Sequence, residues 1–386
     1  MEPSNKSKDQ VPNNTYGGFR GVQAKATGFF RTEQIDGRWW LITPDGNGFI
    51  SIGMNHFDLA VLKYPDNIHI WQTQYDGSEE HYLRQGISQP LQEWGFNTIG
   101  WTEEMVAGEW MNAGTLIRHS SEWSHHQYQV VGMPYCHSLH FVEIEDFNTH
   151  PYYPNVFAED FEIWADYVAR RSCVGMAEDP LLIGYTLCPR PAFQKQTEGA
   201  WALGLDLKNG NDLKKLWRTV ERYYQVVTRA IKRYDPYHLI LGHRFNQPPD
   251  TPNWYLEIAK DYTDAILANW WISDFVSVRN VLDRWYNLIG KPILISDTAF
   301  LCPTDLRPTG DGANFLTNQR ARGEAYQRFA SELFVVPYIL GWHWCAYIEN
   351  RVRKSGIRDY LDQPYWDCVN LMKEFNTHQL YEILQQ

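Results

Sequence analysis

No Cys-x-x-Cys pair occurs in the 386 residues, and the six cysteines, Cys136, Cys173, Cys188, Cys302, Cys345 and Cys368, are scattered without a short-range framework. That excludes the common zinc-ribbon and dithiol patterns and reads as reduced thiols. Long apolar runs are also missing. Nothing reaches the roughly twenty residues that cross a bilayer, and the polar start, Met1-Glu-Pro-Ser-Asn-Lys6, has no hydrophobic signal core. The expectation is a soluble, cytoplasmic protein with no membrane partner. Positive charge is scarce as well: 35 Lys and Arg face 46 Asp and Glu, for a net charge of -11. Phosphates would be repelled over most of such a surface, so no nucleic-acid partner is expected. No repeat with a period of about 20–50 residues is visible, which sets solenoids aside. His-x-His pairs are absent from the first strand-like segments, and neither a metal nor another cofactor is expected. The oligomeric state is not legible.

What the chain has in abundance is aromatic surface: 17 Trp, 23 Tyr and 18 Phe, or 15% of all residues. Flat apolar rings with a polar handle suit sugars, whose C–H faces stack on indole while their hydroxyls seek hydrogen bonds. The same composition also fits the packing of a large core.

Residues 1–26 are polar and predict a flexible arm or extended lead-in. From 27 to 386 the pattern predicts one α/β unit, a (β/α)8 barrel of ordinary size for a single domain. Phe29–Ile35 and Arg38–Thr43 flank Asp36-Gly37, a hairpin signal within 27–46 that is expected to cover the barrel bottom. Strand-like runs then recur at helix-sized intervals: 48–54, Phe96–Trp101, Leu139–Ile144, Leu181–Leu187, His238–His243, Asp264–Asn269, Pro292–Ser296 and Tyr338–Trp342. Helical spacing is clearest over Asp212–Tyr234, where Leu213, Leu216, Trp217, Val220, Tyr224, Val227 and Ile231 recur at three- and four-residue spacing behind an Asp cap. Residues 160–177, 278–289 and 319–335 behave likewise. Asn55–Leu91 and Glu103–Ser138 read as long loops shaping a cleft.

Within this alternation Lys291-Pro-Ile-Leu-Ile-Ser-Asp-Thr-Ala-Phe300 stands out, because an apolar strand ends on an acid, Asp297. A charge in that setting needs compensation or a use. Barrels present their chemistry at such strand ends, and two carboxyl groups about 5 Å apart, or about 6.5–9.5 Å apart, would suit glycoside cleavage. Partners for Asp297 are sought among strand-end acids: Glu145 first, then Glu143 on the same face, with Asp146, Glu103, Glu104 and Asp58 behind them. Each of these also fits a plain structural role. Asn55, His56, Trp101, Arg190, His243, Arg244, Asn269, Trp270, Trp271, His343 and Trp344 fall at strand ends where they would contact a carbohydrate substrate. Arg190 and Arg244 would suit an anionic sugar by bidentate pairing, or simply neutralise Asp297. One indole of each Trp pair is expected to face the packed layers instead. A ring of His56, His140, His243 and His343 would alternatively support a metal-dependent hydrolase or lyase, a weaker pattern without ligand spacing. Cys188 as a nucleophile lacks an assigned base.

The opening Gly28-Phe-Phe-Arg-Thr-Glu-Gln-Ile-Asp-Gly-Arg-Trp-Trp-Leu-Ile-Thr-Pro-Asp-Gly46, with Ile52-Gly-Met-Asn-His56, Asp179-Pro-Leu-Leu-Ile-Gly-Tyr185, Pro292–Asp297 and Gly341-Trp-His-Trp344, resembles the agarase-like glycoside hydrolases related to family 50, in the clan of retaining barrel glycosidases. The resemblance covers most of 27–365. It implies an eight-stranded barrel with a nucleophilic carboxylate at the end of the seventh strand, here Asp297, and an acid/base Glu after Asn at the end of the fourth. There the chain reads Thr186-Leu-Cys-Pro-Arg-Pro-Ala-Phe193 instead. Hydrolysis of a galactose-type glycoside or short oligosaccharide in an exo manner is the expectation, with a non-hydrolytic carbohydrate-binding barrel as the alternative.

Overall fold

The computed structural model describes residues 16–107, 118–142, 153–187, 193–246, 248, 251–271, 274–310 and 315–385. Four short strands come first: β1 Phe19–Gln23, β2 Arg31–Ile35, β3 Arg38–Ile42 and β4 Asn47–Phe49, in an antiparallel sheet of order β1-β4-β3-β2. The β2–β3 connection is the two-residue turn Asp36-Gly37, both with positive φ (50° and 81°), the combination that matches the twist of a hairpin. Residues 19–23, expected within the arm, are a paired strand of this sheet.

The remaining strands are β5 Ser51–Asn55, β6 Thr98–Ile99, the ribbon β7 Met105–Ala107 and β8 Arg118–His119, β9 Tyr135–Ser138, β10 Leu182–Thr186, β11 Leu239–Gly242, β12 Arg244–Asn246, β13 Ile266–Asn269, β14 Ile293–Thr298 and β15 Ile339–Cys345. Apart from β7 and β8 they form one parallel sheet, ordered β11-β10-β9-β6-β5-β15-β14-β13-β12. Its two ends, β11 and β12, are halves of a single strand interrupted at His243. The nine segments are therefore eight strands, and the sheet closes into the expected (β/α)8 barrel. Gly242 makes the break: its φ is +80°, and a Cβ there would sit 2.5 Å from Thr263 Cγ2.

Long helices alternate with these strands. Gly210–Tyr234 is capped by Asn209, whose Oδ1 accepts from the Asn211 and Asp212 amides, so the cap lies three residues before the aspartate expected to hold it. Leu216, Val220, Tyr224, Val227 and Ile231 are its buried stripe. Glu159–Met176, Phe275–Ile289 and Gln319–Phe334 follow the expected spans, the last two capped by Asp274 and Asn318.

The third strand is a correction. Leu139–Ile144 was the expected segment, but β9 ends at Ser138, and Leu139, Phe141 and Val142 are buried outside the sheet. Their apolar character serves packing instead: the Trp164 indole of Glu159–Met176 donates to the Phe141 carbonyl at 2.9 Å. The true strand, Tyr-Cys-His-Ser, is too polar to stand out as a buried run.

The N-terminal sheet covers the barrel bottom. Trp39 N bonds Pro337 O at 2.7 Å just before β15, and Phe29 stacks on Tyr237 just before β11, with centroids 4.6 Å apart. Phe30, Leu41 and Phe49 complete an interior layer with Leu241, Leu267, Leu294 and Leu340. Each such buried side chain contributes about 1.5–3 kcal/mol by leaving water. Chemistry is thereby confined to the opposite, C-terminal end of the strands. No helix among the described residues is long and apolar enough to cross a membrane.

Candidate active site

β14 delivers Asp297 by an irregularity. Against β13, Ala268 faces Ile295 but Asn269 faces Asp297; against β15, Trp342 faces Ile295 but Trp344 faces Thr298. One extra residue on β14 is inserted relative to both neighbours, a bulge of the kind that re-aims a side chain. Strict alternation would send Asp297 outward with Ile293 and Ile295. The bulge instead turns it to the barrel mouth beside Ser296.

Residues from two other strands converge on it. Asn55, at the end of β5, donates Nδ2 to Asp297 Oδ1 (2.9 Å) and to the Ser296 carbonyl (2.8 Å), while its own Oδ1 accepts from Trp101 N (2.9 Å). His56 follows with φ 58°; its Nδ1 donates to the Glu103 carbonyl at 2.6 Å, and its Nε2 lies 3.7 Å from Asp297 Oδ1. Arg244, first residue after the break in strand five, places Nη1 3.1 Å from Asp297 Oδ2 and its guanidinium 3.8 Å over the Trp101 ring. Asp297 is only 5% exposed. Burial alone would raise its pKa, but Arg244, His56 and Arg353 together hold it well below the usual carboxylate range.

A second acidic centre adjoins the first through Trp101, whose Nε1 donates to Glu103 Oε2 at 3.1 Å. His140 Nε2 lies 3.5 Å from that same oxygen and 2.5 Å from Glu122 Oε1, and Glu122 Oε2 accepts from Ser138 N at 3.1 Å. Burial pushes Glu103 up to about 7, with Glu122 adding to the rise and His140, Trp101 and Arg244 opposing it.

Two sets of three potential ligand atoms lie within 4.8 Å of one another, His56/Asp297/Cys345 and Glu103/Glu122/His140. The first has cations already seated against it, Arg244 on Asp297 and Arg353 Nη1 3.1 Å from Cys345 Sγ. In the second, His140 spends its Nε2 on Glu122. The four-histidine ring is corrected by His243, which is not in the mouth at all.

His243 is fully buried among Phe193, Tyr223 and Tyr224 of the outer layer, because the Gly242 kink turns it outward and Arg244 inward. Trp344 is likewise corrected: it packs against Phe300 and Tyr326, as Trp342 packs on Tyr326 and Phe329. The two indoles are two residues apart and share a face. Trp344→Ala is therefore expected to cost about 3–5 kcal/mol of stability, which denaturant melts would check. Trp270, also expected to touch substrate, packs edge-to-face against Trp285 in the core, whereas its neighbour Trp271 is partly exposed and donates Nε1 to Asn269 Oδ1 at 3.1 Å. Asn269 also bonds Asn246 Oδ1 at 3.1 Å. His343 lies inside the barrel, its Nε2 2.8 Å from Ser51 Oγ; burial pulls its pKa down to about 3, so it is neutral. Glu143, Glu145, Asp146, Cys188 and Arg190 lie outside the described residues. Glu122 and Arg353 were not singled out from sequence, and no spacing or motif marks them.

The space around the centre is uneven. Beneath Arg244 a cavity of about 20 Å³ is lined by Trp101, Ser138, Thr186, Ser296 and His343. A far larger one, about 1110 Å³, opens beside it from the shared Ser138 past Glu122 and His140 to Trp164 and Tyr167.

No family model matches the chain. In sequence it is similar to beta-agarase B of Vibrio sp. (strain JT0107), 23% identical over 96% of this chain and 50% of that protein, so the chain spans about half the length of that curated relative. Among solved structures it is similar to BpGH50 (TM-score 0.75, 19% identity, 100% of this chain and 90% of that one) and to an exo-beta-agarase (TM-score 0.73, 18% identity, 97% and 69%).

Proposed function

We propose that this chain, a relative of the agarase-like glycoside hydrolases, cleaves a galactose-type glycoside or short oligosaccharide in an exo manner, with Asp297 as its principal carboxylate. The observation that carries the reading is the convergence at the barrel mouth: a bulge in β14 turns Asp297 inward, and Asn55, His56 and Arg244 reach it from other strands. A preorganised anion at the C-terminal end of a barrel suits attack on, or charge stabilisation at, an anomeric carbon. Trp101 and Trp271, both partly exposed at strand ends, are the platforms for a sugar face. Release of reducing ends from agar-derived and other galactan oligosaccharides tests the reading. Product from the wild type supports it, and binding without any product would remove hydrolysis.

That second outcome has an observation of its own in its favour. The Arg244 guanidinium is spent on Asp297 and Trp101, and only about 20 Å³ is open beneath it. A barrel that holds carbohydrate without cleaving it would tolerate such a plugged centre; a hydrolase needs a ligand to displace Arg244 or to approach over it.

A further inference from the structure

We infer that Glu103 is the proton donor to the leaving group, taking the place of the acid missing from the fourth-strand turn. The inference rests on the glycosidase reading above. Among the described residues Glu103 is the acid tied most directly to the Asp297 centre: its carbonyl holds the His56 ring, its Oε2 holds the Trp101 indole, and that indole lies under Arg244. It enters from the segment after β6, while Asp297 is delivered by β14, and the Trp101 indole with Arg244 over its ring lies between the two groups' contacts.

Glu103 is also the one of these acids set to carry a proton. Asp297 faces Arg244 and His56, and Glu104 is locked to Arg353. Glu103 instead shares His140 with a second carboxylate, Glu122. The groups facing it are Trp101 on its own segment, Glu122 from the loop after β8, His140 from the loop after β9, Arg244 from β12 and Tyr128 from the helix His125–Val131. Burial and Glu122 favour its neutral form, while His140 and Arg244 limit the rise, so the carboxyl holds its proton near neutrality.

In the step itself the Glu103 carboxyl passes its proton to the glycosidic oxygen as the C1–O bond breaks, and the leaving sugar departs as a neutral alcohol. C1 forms its new bond to an Asp297 oxygen or to a water molecule; in the second case the water's proton passes to Asp297. The Glu103 carboxylate regains a proton from water, directly in one case and during hydrolysis of the glycosyl ester in the other. Bonds and charge balance in both.

Phenyl and 2,4-dinitrophenyl β-galactosides separate the role, since dinitrophenolate leaves without a proton. Glu103→Gln is expected to lose about 10²–10⁴-fold in kcat/KM on the phenyl substrate and under tenfold on the dinitrophenyl one, and to lose the basic limb of the pH profile. His140→Asn, which removes the imidazole that opposes the rise of the Glu103 pKa, is expected to move that limb to higher pH. Equal losses on both substrates, or an unchanged basic limb in both variants, would overturn the assignment while leaving the glycosidase reading intact. A wild type that turns over neither aryl substrate nor any galactan oligosaccharide overturns the reading itself.

Discussion

Asp297→Asn is expected to lower kcat on a galactan oligosaccharide by at least about 10³-fold, in line with the loss of a residue that acts only in the transition state. The amide keeps the shape of the carboxylate and can still accept the hydrogen bond from Asn55, so the strand end should retain its geometry. What it loses is the negative charge and the ability to form a bond at C1. Product release by chromatography, with circular dichroism to confirm folding, checks the outcome. Turnover within tenfold of wild type would mean that Asp297 is only the counter-ion of Arg244.

Arg244→Met is expected to reduce the unfolding free energy by about 3–5 kcal/mol, the usual consequence of leaving one member of a buried ion pair alone. Both groups are nearly inaccessible, at 4% and 5% exposure, so water cannot replace the lost partner. The double variant with Asp297→Asn should recover part of that loss, because the stranded anion is gone. Urea melts of the two single variants and the double variant measure the coupling directly. The pH dependence follows from the same pair. Asp297 is depressed in the folded state, so its stabilisation is full above its unfolded pKa of about 3.9 and is lost as pH falls toward the lower folded value. Arg244→Met removes the largest influence opposing burial, which raises the folded pKa and shrinks the Asp297 loss in acid, so the stability gap between variant and wild type should narrow as pH falls below about 4.

The barrel was legible because its strands are apolar runs at helix-sized spacing, and the hairpin because Asp36-Gly37 admits little else. β9 was not, since a strand of Tyr, Cys, His and Ser carries no hydrophobic signature, while the apolar Leu139–Val142 beyond it serves a helix contact. Asp297 could be picked out by its oily context, yet its inward aim depends on one inserted residue whose register only the neighbouring strands reveal. His243 and Arg244, both expected at the mouth, parted for a similar reason: the turn at Gly242 sets which of two adjacent polar residues faces it. Trp342 and Trp344 could have been read as one face from their spacing, but which face depends on the helix Gln319–Phe334 packed behind them. Glu122 reaches the site from a loop, where no period constrains direction.

Whether sugar binds over Asp297 or elsewhere is decided by a crystal structure of Asp297→Asn soaked with a galactan oligosaccharide. A ring stacked on Trp101 with its anomeric carbon within about 3–3.5 Å of the residue 297 side chain, the separation of a near-attack geometry, is the predicted result. An oligosaccharide seated only in the larger cavity along Trp164 and Tyr167, with Arg244 still sealing residue 297, would contradict it.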